Sequence, residues 1–468
     1  MLTRRDLSKF LLTGGVAALG ASKVQAAGEN SRSPETEVDQ ARTPVTRGQT
    51  ENTNIAVQDM DAWATRRVRN TEESDRMEGW ELALTAGMKY DLLIKGGTVV
   101  DPGQGLHALL DVSVKNGRIS QIAKDIPPGP MDRVVSAKGN IVTPGFIDLH
   151  LHCYDGMTFN LNNIDGYCLG RGVTTVVDAG STGYLGINRF IKDIVNTHIT
   201  RIYAMIHICP LGDTTTLEHL MDDMKNVSPQ WTAMAAEANK PTVVAIKVHL
   251  STVYFSNPKD TELEALKKAL EAAELCHLPL MAHLDQTFYP MTTSIKMLRK
   301  GDIRTHCFSQ WPIDTPLDAN GKILPEVRAA RDRGVIFDVA DAFRHLSFEV
   351  AEKCIAQGFL PDTISTDLNR MFATERTYDL PTMVSKFMAL GLTLDQAVEC
   401  VTSKPAKVFN YGVEIGTMRP GAEGDIGIFE VQDGNFEFRD INGLTRMGHQ
   451  KLVSKAVVCR GHFYVNQV

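Results

Sequence analysis

Between Pro144 and Asn410 the chain alternates short apolar runs with helix-patterned stretches, and no other feature restricts its fold as strongly. Eight runs have strand length: GFIDLHLH, GVTTVVDAG, RIYAMIHI, TVVAIKVHL, LPLMAHL, IRTHCFS, GVIFDVAD and DTISTDL. Between them lie segments such as TELEALKKALEAAELC, PEVRAARDRG and SFEVAEKCIAQG, whose apolar residues recur at helical spacing. Strands separated by helices must run parallel, because each helix returns the chain to the start of the next strand. Eight such units in about 265 residues predict a (β/α)8 TIM barrel, which takes about 250. A doubly wound open sheet would need a glycine-rich phosphate turn after its first strand. The sequence there is HLHCYDG, which is nothing like one.

The flanks follow a different grammar. YDLLIKGGTVVDPG, LLDVSVKNGRISQIA and RVVSAKGNIVTPG precede the barrel, and GDIGIFEV, FEFRDINGLT and KLVSKAVVCRGHFYVN follow it. These are alternating or β-branched runs broken by Gly, Asn and Pro, the pattern of strands and hairpins. They predict one small β-sandwich domain assembled from both chain ends, residues 89–143 with 411–468, around a barrel of residues 144–410.

The first 88 residues read differently again. Arg4 and Arg5 precede a short, weakly apolar run from Phe10 to Ala21 and a small-residue site at Val24-Gln25-Ala26. A bilayer span needs about 20 apolar residues, so residues 1–26 read as a twin-arginine-type signal peptide that directs export, to the periplasm in a bacterium. Residues 27–88 are polar and turn-rich, a linker or extension with one short helix expected at Asp59–Arg69. The net charge of -7 gives no reason to expect nucleic acid or an anionic membrane as partner. The 8 cysteines form no CxxC pair and sit mostly in apolar runs, so buried free thiols are expected rather than a disulfide framework.

Chemistry in such a barrel sits at the C-terminal ends of the strands. Strand one ends in His150 and His152, spaced so that both imidazoles share a face. Strand four carries Lys247, strands five and six end at His283 and His306, and strand eight ends at Asp367. Each has an ordinary explanation alone: a snorkelling lysine, satisfied core histidines, a helix-capping aspartate. Together they compose a ligand set for two divalent cations.

The order H-x-H, Lys, His, His, Asp resembles the binuclear amidohydrolase superfamily, which includes dihydroorotase and hydantoinase. TPGFIDLHLH and GVTTVVDAGSTG are similar to that family's motifs, and AIKVHLS, THCFS and GFLPDTISTDL resemble its amidohydrolase/deacetylase branch. The resemblance spans about residues 89–465. It implies two metal ions, zinc being the expected one, and a Lys247 carboxylated by CO2 into an anionic bridge. His150 and His152 with Asp367 would hold the more buried ion, and His283 with His306 the more exposed one. A hydroxide between two ions can attack a carbonyl that the ions polarise, with Asp367 carrying its proton to the leaving group.

Loops after the strands should line the substrate pocket with Tyr154, Thr182, His207, His249, Asp341, Arg344, His345 and Arg370. The chain departs from the branch pattern in DVADAFRH, where Asp341 replaces a histidine, and in STDLN, where Asn369 does. Arg344 or Arg370 could hold a substrate carboxylate in a bidentate contact. The expected activity is hydrolysis of a small molecule: an N-acyl amino acid, another amide, a cyclic imide, or a small carboxylate-bearing ester, in that order. Deamination on the same scaffold is an alternative, against which Lys247 argues; a non-catalytic barrel is another, against which the complete ligand set argues. The sequence leaves homo-oligomer formation open.

Overall fold

The computed structural model describes residues 89–465, apart from residues 131, 156–159, 162, 214–218, 343 and 371–378. The expected leader, the polar extension and the helix at Asp59–Arg69 lie outside the described residues.

Two sheets organise the chain. The first comprises β1 (Leu92–Asp101), β2 (Leu106–Lys115), β3 (Arg118–Ala123), β4 (Val134–Ser136), β5 (Ile141–Pro144), β13 (Ile426–Arg439), β14 (Thr445–Cys459) and β15 (His462–Val465). Its order is β15-β14-β13-β5-β1-β2-β3, with β4 also on β1, so both chain ends share one sheet. The join is β5, which runs antiparallel to β13 from Ile426↔Pro144 to Phe429↔Ile141. Leu92, Ile94, Val112, Val142, Ile426, Ile428 and Val458 bury a common core beneath it. This sheet supplies the β-sandwich domain expected from the flanking sequence.

The second sheet is parallel and follows chain order: β6 (Phe146–Leu151), β7 (Val173–Asp178), β8 (Arg201–His207), β9 (Val243–His249), β10 (Leu280–His283), β11 (Ile303–Thr305) and β12 (Ile336–Phe337). The eighth run, DTISTDL, pairs only through isolated parallel bridges, Asp338↔Thr363 on one side and Leu151↔Leu368 on the other. Those bridges still close the barrel, with Asp367 N donating to His150 O at 2.7 Å and His152 N to Leu368 O at 3.0 Å. The ladder is interrupted because Asp367 adopts a left-handed backbone, φ 53°, and because Thr366 Oγ1 accepts the Leu368 amide at 3.0 Å. Ile147, Leu149, Val177, Met205, Ala245, Met281 and Ile303 pack into one buried cluster with Phe409 and Tyr411. Side chains therefore fill the barrel rather than leaving a pore.

Helices Pro229–Ala238, Pro258–Leu275, Pro325–Asp332, Phe348–Ala356 and Leu380–Ala389 lie between or after the strands. The alanine-rich face of Pro258–Leu275 buries Ala265, Ala269, Ala272 and Ala273 in the main core. All eight cysteines are buried and free, as their apolar settings predict. Among the described residues no helix is long and apolar enough to cross a membrane.

Helix Leu380–Ala389 starts at Asp379, whose side chain accepts from Thr382 N at 2.8 Å and from Arg171 Nη1 at 2.9 Å. Burial pushes this carboxyl up, but Arg171 and the cap bonds outweigh it, so it titrates below its ordinary value of 3.8. A depressed carboxylate stabilises the fold above the unfolded-state value and loses that contribution as pH falls through the folded one. Asp379→Ala should therefore cost about 1–2 kcal/mol at pH 7, from the lost cap and pairing. Denaturant melts of parent and variant should converge below about pH 4; a gap that widens in acid would reject this account.

Candidate functional site

The strand ends bring the expected ligand residues to one mouth of the barrel. His150 Nε2 lies 3.2 Å from Lys247 Nζ and 3.5 Å from Asp367 Oδ1. His152 Nε2 lies 3.3 Å from the same carboxylate oxygen. His306 Nε2 meets His283 Nδ1 at 2.9 Å, and the His306 ring stands 5.5 Å from that of His150. One donor atom each from His150, His306 and Asp367 falls within 4.8 Å of the others, close enough to share a cation. All six side chains are buried, Lys247 completely.

Surrounding carboxylates and hydroxyls fix these rings. His150 Nδ1 faces Thr305 Oγ1 at 3.0 Å and Asp338 Oδ2 at 3.4 Å. Asp338 is itself held by the hydroxyls of Thr305, Thr363 and Ser365 at 2.7–2.9 Å. His152 Nδ1 faces Ser181 Oγ at 2.9 Å, and Ser181 donates to Asp178 Oδ2 at 2.7 Å. Asp148, just before the H-x-H, turns to Thr366, whose hydroxyl donates to it at 2.6 Å, and so ties strand one to segment eight. Such partners orient metal-ligating histidines and set which nitrogen is free.

Electrostatics follow from burial. Burial lowers His150 to about 4, helped by Lys247 and opposed by Asp367. Burial first, then neighbouring cationic groups, holds His283 and His306 well below the usual range. His152 goes the other way, since Asp367 and Asp213 outweigh its burial. Burial raises the Asp367 carboxyl, but His150 and His152 overcome this and keep it below the ordinary carboxylate range. Burial lowers the Lys247 amine to about 8, against the pull of Asp367 and Asp213. Its amine contacts are His150 Nε2 and Met281 Sδ, the latter at 3.5 Å, and neither compensates a full positive charge.

Backbone geometry is unusual at this mouth. Gly180 (φ 89°) passes so near Lys247 that a Cβ there would lie 2.9 Å from both Cβ and Cγ of the lysine. His306, Ala340, Ala342 and Asp367 all have positive φ, between 42° and 57°, without being glycine. Left-handed backbone in such residues is a strained state that concentrates at functional sites.

The expected pocket residues separate into groups. His207 and His249 sit at the ends of β8 and β9, bonded to each other at 3.0 Å. His345 stacks on His306 with centroids 3.9 Å apart and binds Asp285 Oδ2 at 2.8 Å. Tyr154 packs edge-on against Phe190, beside the Gly186 loop. Thr182 is buried. Arg344 and Arg370 are exposed, and Asn369 is half-buried. Asp341, expected to face substrate, is instead fully buried and paired with Lys386 Nζ at 2.5 Å, because helix Leu380–Ala389 delivers a buried lysine to it.

Several residues of the site were not anticipated: Asp338, Asp178, Ser181, Asp213, Asp285 and Tyr254. A signal existed for two of them, since Asp178 and Asp338 are carboxylates at the ends of otherwise apolar strands. Asp213 and Tyr254 come from loops whose course no periodicity reveals.

A closed parallel barrel with imidazoles, a carboxylate and a buried lysine at its C-terminal mouth defines a metal-dependent hydrolase scaffold. Residues 141–459 match the amidohydrolase family, and the chain belongs to it. It is 29% identical over 380 residues to a deacetylase of Enterococcus faecalis, covering 81% of this chain and all of that one. It is 30% identical over 340 residues to a deacetylase of Brucella anthropi, covering 72% of this chain and 83% of the relative. Among solved structures, an adenine deaminase superimposes with a TM-score of 0.74 at 28% identity, covering 81% of this chain and 100% of that one. A dihydroorotase shares the fold at 24% identity and a TM-score of 0.72, covering 80% and 97%. The protein is thus an amidohydrolase-type, metal-dependent enzyme.

Removing one partner of a buried ion pair leaves an uncompensated charge. Lys386→Met should therefore destabilise the protein by about 3–5 kcal/mol, whereas Lys386→Met with Asp341→Leu should recover most of that loss. Paired denaturant melts measure both; a single variant as stable as the parent would remove the pair from the stability argument.

Proposed function

We propose that this enzyme hydrolyses a non-peptide C–N bond in a small, carboxylate-bearing molecule. N-acyl amino acids come first, then other amides and cyclic imides; small carboxylate-bearing esters, cleaved at C–O by the same attack on a carbonyl, come last. The observation that carries the reading is the fully buried Lys247 amine at the mouth with the four imidazoles and Asp367, with no carboxylate hydrogen-bonded to it among the described residues. Burial brings the Lys247 amine down to about 8, so its neutral form, the one that combines with CO2, is far more accessible than in a free lysine, and the resulting carbamate would place an anionic group between cationic ones. The donor set suits divalent cations of zinc type: one donor atom each from His150, His306 and Asp367 lies within 4.8 Å of the others, and His152, His283 and a carboxylated Lys247 would complete the ligands of two such ions. Such ions supply carbonyl polarisation and an acidified water.

The chain's own groups do the remaining work. Asp367 is ionised and buried at the centre, so it takes the proton of the attacking water and returns it to the leaving nitrogen. Asp338 and the Ser181–Asp178 pair keep the first-strand imidazoles aimed. Arg344 is exposed on the loop after β12, three residues beyond Asp341. Its guanidinium would hold a substrate carboxylate in a bidentate contact. Deamination is the second reading, favoured by the likeness to the adenine deaminase structure.

A hydrolysis panel of N-acyl-D- and L-amino acids, imides, aryl esters and adenine decides among these. Turnover should disappear on chelation and return with Zn²⁺ and bicarbonate. Lys247→Ala should be inactive, with partial recovery when short carboxylic acids are supplied. Asp367→Asn should lose about 10²–10⁴-fold in kcat. Parental turnover by Lys247→Ala in the absence of added acid, or preference for adenine over every amide, would overturn the first reading.

A further inference from the structure

His207 and His249 end adjacent strands: His207 is in register with Lys247, and His249 with His283. The Cys209 amide donates to His207 Nδ1 at 2.9 Å. A ring nitrogen that accepts a hydrogen bond carries no proton, so His207 is neutral with its proton on Nε2. That nitrogen is 3.0 Å from His249 Nδ1, which must therefore accept, and the proton of His249 then sits on its own Nε2. A competing partner exists in Asp213 Oδ1, 3.4 Å from the same Nδ1. Were His249 protonated at Nδ1 to serve it, His207 would need to accept at both nitrogens, which a neutral ring cannot do. The backbone amide of Cys209 thus sets the tautomer two rings away.

The hydrogen-bond and ion-pair contacts of His249 among the described residues all use Nδ1, leaving Nε2–H for a ligand. The ring is buried in the mouth, 4.6 Å from that of His283 and edge-on to Tyr254 at 5.1 Å. We propose that His249 Nε2–H donates to the substrate oxygen on which negative charge develops during cleavage, and that His207 is the positioning residue that holds His249 in the donor tautomer. This rests on the hydrolytic reading above. It adds a donor to the proposed cations, and a pre-aimed donor is effective because it needs no reorganisation as the charge forms.

Nitrogen-15 spectra of histidine-labelled, metal-loaded enzyme test the tautomers directly. Both His207 and His249 should give Nε2–H signatures in the parent, and His207→Leu should move the His249 proton to Nδ1, against Asp213. In kinetics, His249→Ala should lose about 10²–10³-fold in kcat with little change in KM. His207→Leu should lose at least about tenfold at unchanged metal content, and His207→Gln, whose amide can still donate to His249, should recover much of it. A parent His249 protonated at Nδ1 overturns the proposal. So does a His207→Leu enzyme with parental kcat, or one whose loss tracks metal content or KM. If no panel substrate is hydrolysed, the hydrolytic reading fails, while the ring signals still decide the tautomer.

Discussion

Two backbone hydrogen bonds, Asp367 N to His150 O and His152 N to Leu368 O, join the first barrel strand to the last segment. The two histidines and the aspartate are far apart along the chain, and only a closed barrel brings them to one carboxylate oxygen. Closing so long a loop costs entropy, offset by the apolar cluster that fills the barrel and by the helix faces outside it. Asp148 strengthens the seam from within strand one, because its carboxylate takes both the amide and the hydroxyl of Thr366. Chemistry and closure thus share the same short stretches of chain.

The polar interior this creates is tolerable because most of it is paired. Asp338 accepts three hydroxyl bonds and faces His150, and Asp178 accepts from Cys153, Gly180 and Ser181. Networks satisfied in this way become rigid in a medium of low dielectric. Lys247 is poorly matched, a buried amine between an imidazole and a thioether. That imbalance is what the proposed carbamate and cations would resolve.

The barrel was legible in the sequence because its strands are apolar on both faces and its helices are amphipathic. The two β-rich flanks were legible as one sheet because they share a hairpin grammar. The interrupted eighth strand was not, since Thr366 and Asp367 divert their backbone only in the presence of strand one. The H-x-H, Lys247, His283, His306 and Asp367 could be read because they interrupt apolar runs at fixed ends. Asp341 was legible as a carboxylate at a strand end, but not its pairing with Lys386, which lies in a helix that no local pattern connects to it. His207 and His249 were visible as histidines, but their bonding order depends on one amide, that of Cys209, and is a property of the folded chain alone.

The left-handed residues at the mouth carry a last consequence. His306, Ala340, Ala342 and Asp367 each hold a conformation that costs an L-residue about 1–2 kcal/mol, and two of the four are proposed ligands. Free of its cargo, this rim is the part of the scaffold with most to gain by relaxing. A cation seated there would act as a latch as well as a reagent, its coordination bonds returning as rigidity what the twisted backbone gives up.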